Sequence, residues 1–428
     1  MPHGTAKQAL YGTHRFADAP VSTAGVGRPF MMGAMFFSPM PPADRDAAAT
    51  FKPSRSLPST RDARALAAQR LPRLIYDFID GGAGDELGLA SNLSDLQRVR
   101  LQPRSLAEVN TISLKTSLLG RDWDVPFGIA PMGMCDLAWP GTDHSLAALS
   151  QRHNLPLGVS TASSTSLEEL LRLTGGRAWF QLYVTGSTQD ALGLSRRAAT
   201  AGYDTLILTV DVPRLGKRPR DVRNGFATPF RMTARHFMDF ATHPHWSLKT
   251  LASGPPTMAN FSGANARGYD RNAPRTGANW AFLQELRAAW RGKLIIKGVL
   301  SAEDAVRMKT EGVDAICVSN HGGRQLDSAP SAIAALPAIR QAVGPTFPLL
   351  FDSGIRTGDD MVKARALGAD LVLVGRPFLY ALAAVGPAGA QRMYNCFTGE
   401  IETALAQIGV AAMSAVTSAC LYSAPVAA

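Results

Sequence analysis

The run Ser319-Asn320-His321-Gly322-Gly323-Arg324-Gln325-Leu326-Asp327 brings together residue types that can do chemistry on an acid. His321 can act as a base near neutral pH, and Arg324 can grip a carboxylate through two parallel hydrogen bonds. A lone histidine is more often a structural donor or acceptor. Here two glycines follow it, which permit close backbone approach, and an arginine comes next. Asp352 ends the next apolar run and is expected to orient His321 and stabilise its cation. A second chemistry is anion binding. Asp352-Ser353-Gly354-Ile355-Arg356 and Gly375-Arg376 are Gly-containing turns that expose backbone N–H groups, each ahead of a helix whose dipole favours negative charge. A Gly-Arg pair alone is weak evidence; two such turns on consecutive units read as a phosphate cradle.

Such side chains need a scaffold, and the sequence supplies a rhythm. Apolar, β-rich runs recur at Phe127–Ala130, Leu155–Ser160, Ala178–Tyr183, Thr205–Val210, Leu294–Lys297, Ala315–Ser319, Leu349–Asp352 and Leu371–Gly375. Helix-like stretches separate them, several opened by capping patterns such as those at Ser166, Ser301 and Thr357. Eight strand–helix units predict an α/β fold, a closed (β/α)8 TIM barrel, with a doubly wound open sheet as the alternative. Each run ends in groups that can bind a ligand: Pro131-Met132-Gly133, Ser160-Thr161, Gln181-Leu182-Tyr183, Thr209-Val210-Asp211, Lys297, Ser319 to Asp327, Asp352 to Arg356, and Gly375-Arg376. Function in such barrels gathers at these C-terminal ends. The fourth and fifth runs are separated by more than eighty residues, so a long insertion is predicted over 212–280.

Composition bounds the rest. At 428 residues, with 46% hydrophobic and 18% charged, the chain can bury a large core. Four cysteines without paired spacing exclude a disulfide scaffold and a zinc ribbon, and no metal is expected. The net charge is +10, but residues 212–280 hold eleven Lys and Arg against three Asp, +8 of that total. So local a charge, without a zinc-finger or RNA-binding signature, argues against a nucleic-acid partner. Residues 1–60 hold eight of the 28 prolines and no periodicity, and read as an extension, disordered or draped on the surface, ahead of a barrel domain over 61–428. No secretory signal is visible and the Ala/Ser/Thr-rich tail makes a poor spanning helix, so a cytoplasmic location is expected.

The 319–327 run resembles the active-site signature of the FMN-dependent α-hydroxy-acid oxidases and dehydrogenases. The likeness extends from about Leu71 to about Gly409 and includes Phe180-Gln181-Leu182-Tyr183, the stretch from Leu208 to Gly216, Ile296-Lys297-Gly298 and Asp352-Ser353-Gly354. It implies an FMN cofactor. Pro131, Met132 and Gly133 would lie along the flavin, with Ser160, Gln181 and Thr209 on its pyrimidine edge. Lys297 would stand near N1 and the C2 carbonyl, Ser319 would touch the cofactor, and 352–356 with 375–376 would hold ribityl and phosphate. Arg218 and Arg324 would bind the substrate carboxylate, Tyr183 the hydroxyl or developing carbonyl, and His321 would take a proton while Asp211 tunes the site. The implied reaction is oxidation of an L-2-hydroxy acid to the 2-keto acid, with electrons passed to quinone or, alternatively, to oxygen with hydrogen peroxide as product.

Three departures refine this expectation. Phe78 stands where the family has a carboxylate-binding tyrosine, removing one charge-assisted hydrogen bond. Ala162 replaces a tryptophan of glycolate oxidase, which leaves room for a bulkier substrate. Gly133 stands where the oxidases have alanine, as in mandelate dehydrogenase. Ala162 and Gly133 together favour a larger aryl or branched acid and a slow reaction with oxygen, so the resemblance implies a mandelate-like acid or lactate as substrate. In the insertion, Thr242-His243-Pro244-His245-Trp246-Ser247-Leu248, Pro255-Pro256 and Ala259-Asn260-Phe261 resemble the membrane-associated mandelate and L-lactate dehydrogenases, and Phe230, Phe237, Met238, Phe240 and Trp246 among Arg231, Arg235 and Lys249 suit an anionic interface. This implies a peripheral position on the inner face of the cytoplasmic membrane, a solvated active-site lid being the other reading. The family also implies a homo-oligomer, a tetramer.

Overall fold

Short apolar runs flanked by capped helices leave each strand buried on both faces, as in parallel sheets covered by helices, whether open or closed. The computed structural model describes residues 54–227, 230–254, 256–261 and 275–423. A hairpin of β1 (Thr116–Leu118) and β2 (Arg121–Trp123) precedes eight parallel strands: β3 (Phe127–Met132), β4 (Leu157–Ser160), β5 (Ala178–Leu182), β6 (Thr205–Thr209), β7 (Lys293–Val299), β8 (Ala315–Val318), β9 (Leu349–Phe351) and β10 (Leu371–Val374). They form a closed barrel in sequence order, β10 pairing with β3. The chain is therefore a (β/α)8 barrel, not an open sheet.

The capping signals act as read. Ser166, Ser301 and Thr357 each accept a hydrogen bond from the backbone N–H three residues on, and Asp360 completes a capping box with Thr357. Inside the barrel, Trp123 and Trp179 meet edge to face at 5.7 Å and share a buried cluster with Ile207, Ile295, Leu350 and Leu371. The hairpin thus plugs the end opposite the site.

The expected extension falls on undescribed residues as far as 53. Residues 54–56 are exposed, and packing begins at Leu57, which is buried, with Ser59 capping the helix Thr60–Arg70. That helix and the next, Arg73–Asp80, lead to the barrel mouth. There Asp80 takes Arg64, Arg220 and the Tyr380 hydroxyl, and Arg324 and Arg376 donate to the Gly81 carbonyl. Of the insertion, helices Pro219–Arg223, Ala234–Ala241 and Pro244–Ser253 are described. Trp246 and Phe240, expected with the outward apolar residues, instead face inward. Trp246 is buried and donates its indole N–H to the Leu137 carbonyl at 2.8 Å, and Phe240 packs against it. A large indole with a satisfied N–H anchors better than it docks.

Candidate functional site

A pocket opens at the C-terminal ends of the strands, and its far wall is built for an elongated ligand with an anionic end. Pro131, Met132, Gly133, Ser160 and Lys297 line one stretch; 352–356 with Gly375 and Arg376 line the other. Gln181, Thr209 and Ser319 lie behind the first stretch and brace it. Ser160 Oγ donates to Gln181 Oε1 at 3.2 Å, Gln181 Nε2 to Thr209 Oγ1 at 2.9 Å, and Lys297 Nζ to Ser319 Oγ at 2.8 Å. At the other end Gly375 leads the helix Arg376–Val385, whose dipole favours negative charge there, although Pro377 has no N–H and the Phe378 N–H bonds the Gly375 carbonyl. Desolvation, with Arg376 nearby, pulls the Arg356 guanidinium below its usual range despite Tyr380. Two cations crowded at a helix N-terminus call for an anion such as a phosphate. Arg376 contributes its charge there, since its side-chain donors already serve the carbonyls of Ile79, Gly81 and Gly322.

Deep in the pocket Lys297 is 4% exposed, and its amine needs a counter-charge. Asp352 supplies it at 2.8 Å. Burial alone would disfavour the cation, but Asp352 outweighs it and the amine's pKa is raised; the Asp352 carboxyl is lowered by Lys297 against its own burial. Asp352 is thereby taken, which corrects the expectation that it supports His321. The carboxylate at the imidazole is Asp211: its Oδ1 lies 3.0 Å from His321 Nδ1. Asp211 reaches this place because residue 298 is glycine. At φ +101° no side chain is present there, and an added Cβ would lie 2.5 Å from Asp211 Cγ. On the other ring nitrogen, His321 Nε2 is 3.3 Å from the Tyr183 hydroxyl.

The other side of the pocket is bounded by arginines and aromatics. Phe78 stacks on Phe226, centroids 4.3 Å apart and planes within 8°. The guanidiniums of Arg218 and Arg324 stand 5.5 and 5.4 Å from the centre of the same Phe78 ring, so one ring faces two cations. Arg218 is also oriented by Asp221 at 3.1 Å. Ala162 lines the pocket, and a Cβ at residue 133 would stand 3.1 Å from its Cβ, so both small residues keep the same space open.

Two contributors escaped the sequence reading. Arg275 is 3% exposed, lines the pocket and lies 5.4 Å over the Tyr183 ring, its backbone N–H tied to the Pro213 carbonyl. Phe226 is the stacking partner of Phe78. Neither belongs to a motif; the basic charge concentrated over 212–280 was the one sign of the first.

The family profile described as FMN-dependent dehydrogenase matches residues 67–423. The chain is 41% identical over 363 residues to "(S)-mandelate dehydrogenase" of Pseudomonas putida, covering 83% of this chain and 91% of that one. Among solved structures, a monotopic membrane protein, (S)-mandelate dehydrogenase, superposes with a TM-score of 0.82 at 39% identity, over 86% of this chain and 99% of its own. A mandelate oxidase bound to (S)-2-phenylpropionate superposes with a TM-score of 0.72 at 36% identity, over 85% and 97%.

Proposed function

Because the chain belongs to the FMN-dependent dehydrogenases, and is an FMN-dependent oxidoreductase of 2-hydroxy acids, we propose that it oxidises a mandelate-like L-2-hydroxy acid to its 2-keto acid and passes the electrons to a quinone. The observation that carries this reading is His321 between Asp211 and Tyr183, facing a pocket that also holds two guanidiniums. Bound FMN supplies the two-electron acceptor. Arg218 and Arg324 bind the substrate carboxylate, and Tyr183 bonds the hydroxyl. Asp211 holds the Nδ1 proton of His321, which leaves Nε2 as the base on the pocket side. His321 accepts a proton from the substrate carbon or from its hydroxyl, according to whether hydrogen leaves as proton or hydride. Lys297, kept charged by Asp352, would supply a fixed positive charge to FMN held along the wall from Pro131 to Gly133 and from Asp352 to Arg356. The space beside Ala162 and Gly133 admits an aryl group.

Anaerobic addition of hydroxy acids to the yellow holoenzyme tests the proposal. Mandelate is expected to bleach the flavin faster than lactate does. A bound flavin that no 2-hydroxy acid bleaches would overturn it. Oxygen as acceptor is the second reading, favoured by the likeness to mandelate oxidase. Oxygen consumption against dye reduction on one sample separates the two.

The quinone reading fits a peripheral membrane position. Among the described residues no helix is long and apolar enough to cross a membrane. Phe230, Met232, Phe237, Met238, Leu248 and Leu251 are all exposed on the insertion, an apolar surface suited to lying in an interface.

A further inference from the structure

We propose that the groove between helix Arg73–Asp80 and the insertion helices Pro219–Arg223 and Ala234–Ala241 binds the phosphate headgroup of an anionic membrane lipid; the proposal rests on the membrane-docking reading above. The groove, of about 440 Å³, is lined by Arg73, Asp77, Arg220, Arg223, Asn224 and Arg235. Its floor is neutralised. Asp77 accepts from Asn224 at 2.7 Å and from Arg220 at 3.4 Å, and Arg220 also pairs with Asp80 and Glu86. Asp239, close by, accepts from the backbone N–H groups of Arg73 and Leu74 and faces His243.

The rim is different. Arg73 meets Asp77 only at 3.5 Å, with its side chain 73% exposed. Arg223 and Arg235 make no ion pair among the described residues, and Arg235 Nη1 donates to the Arg223 carbonyl at 3.3 Å, which ties their two segments together. Cations of one sign around a hollow focus the field on an anion, and guanidiniums suit phosphate oxygens. A lipid is the source that fits, because the rim is also apolar. Val222 adjoins Arg223, Phe237 and Met238 share a helix with Arg235, and Phe230 and Met232 precede it, all exposed. A soluble anion would have no use for those side chains; a phospholipid uses both.

The test is co-sedimentation of the full-length holoenzyme with phosphatidylcholine vesicles, with and without phosphatidylglycerol. Wild-type protein is expected to prefer the anionic vesicles. The pair Arg223→Gln/Arg235→Gln is expected to lose affinity for them about 30-fold, at roughly one charge contact per residue, while binding to neutral vesicles persists. The pair Arg231→Gln/Lys249→Gln removes the same charge from exposed positions outside the groove and is expected to lose much less. Thermal midpoint and flavin content serve as folding controls. Equal losses for the two pairs would mean diffuse attraction and would overturn the site. Equal wild-type binding to both vesicle types would also overturn it while leaving membrane docking intact, whereas binding to neither would sink the docking reading itself. Inorganic phosphate bound through Arg223 and Arg235, without any vesicle preference, would identify a soluble anion and overturn the lipid assignment.

Discussion

At the barrel mouth Asp211 and Asp352 follow the ends of β6 and β9, and the buried amine of Lys297 takes one of them. Asp352 pairs with that amine at 2.8 Å, and Asp211 is left for the imidazole at 3.0 Å. The two therefore fail differently when neutralised. Asp211→Asn is expected to lower the rate of anaerobic flavin reduction about 10²–10⁴-fold with flavin content unchanged, as when a catalytic histidine loses its orienting carboxylate. Asp352→Asn strands a buried cation, so about 3–5 kcal/mol of stability is expected to go, read as a lowered thermal midpoint and weakened flavin retention. Phe78 offers the converse experiment. Its ring already lies beside both guanidiniums, so Phe78→Tyr adds a donor at the proposed carboxylate site. KM is expected to fall about tenfold with little change in kcat, since the added bond serves substrate and transition state alike.

The barrel strands were legible because each is a continuous apolar run closed by a polar end, and their helices because Ser166, Ser301 and Thr357 announce their starts. What was not legible is what folds across those elements. The Asp80 cluster joins residues more than a hundred positions apart, the Arg376 side chain is spent on the carbonyls of Ile79, Gly81 and Gly322, and Phe226 meets Phe78 only after the insertion folds back. Pairings of this kind depend on three-dimensional neighbours that no periodicity records. The same holds for Asp143, on helix Thr142–Arg152, which binds the loop after β4 through the N–H groups of Ser164 and Thr165. Burial, then Asp136, push its carboxyl up to about 7 against those two hydrogen bonds. An unfolded aspartate ionises near ~3.9, so between that pH and about 7 the native state holds the extra proton and stability falls as pH rises. Asp143→Asn keeps an oxygen to accept both N–H groups and removes the titration. Its thermal midpoint is expected to vary less than wild type between about pH 4 and 8 and to exceed wild type at the upper end. A wild-type midpoint that instead climbed through this window, with the variant below it, would count against a protonated Asp143.

Across the whole molecule the insertion does two jobs with different side chains. Its inward residues complete the pocket: Met258 and Arg275 line it, Trp246 bonds to Leu137, and Asn260 donates to Ser163 and to the carbonyls of Ser160 and Thr161 at the pocket wall. Its outward residues leave the barrel alone. Phe237, Met238 and Leu251 are 64%, 61% and 78% exposed, so removing their apolar surface costs the fold little. In an interface each would instead contribute on the order of 1.5 kcal/mol, about tenfold in partitioning. The triple change Phe237→Ser, Met238→Ser, Leu251→Ser is therefore expected to abolish sedimentation with neutral vesicles while anaerobic reduction by substrate proceeds at the wild-type rate. Quinone reduction in vesicles should fall with the lost binding, whereas reduction of a water-soluble dye should not. Retained vesicle binding would move the docking surface elsewhere on the molecule, and slowed flavin reduction would make these residues part of a lid over the pocket.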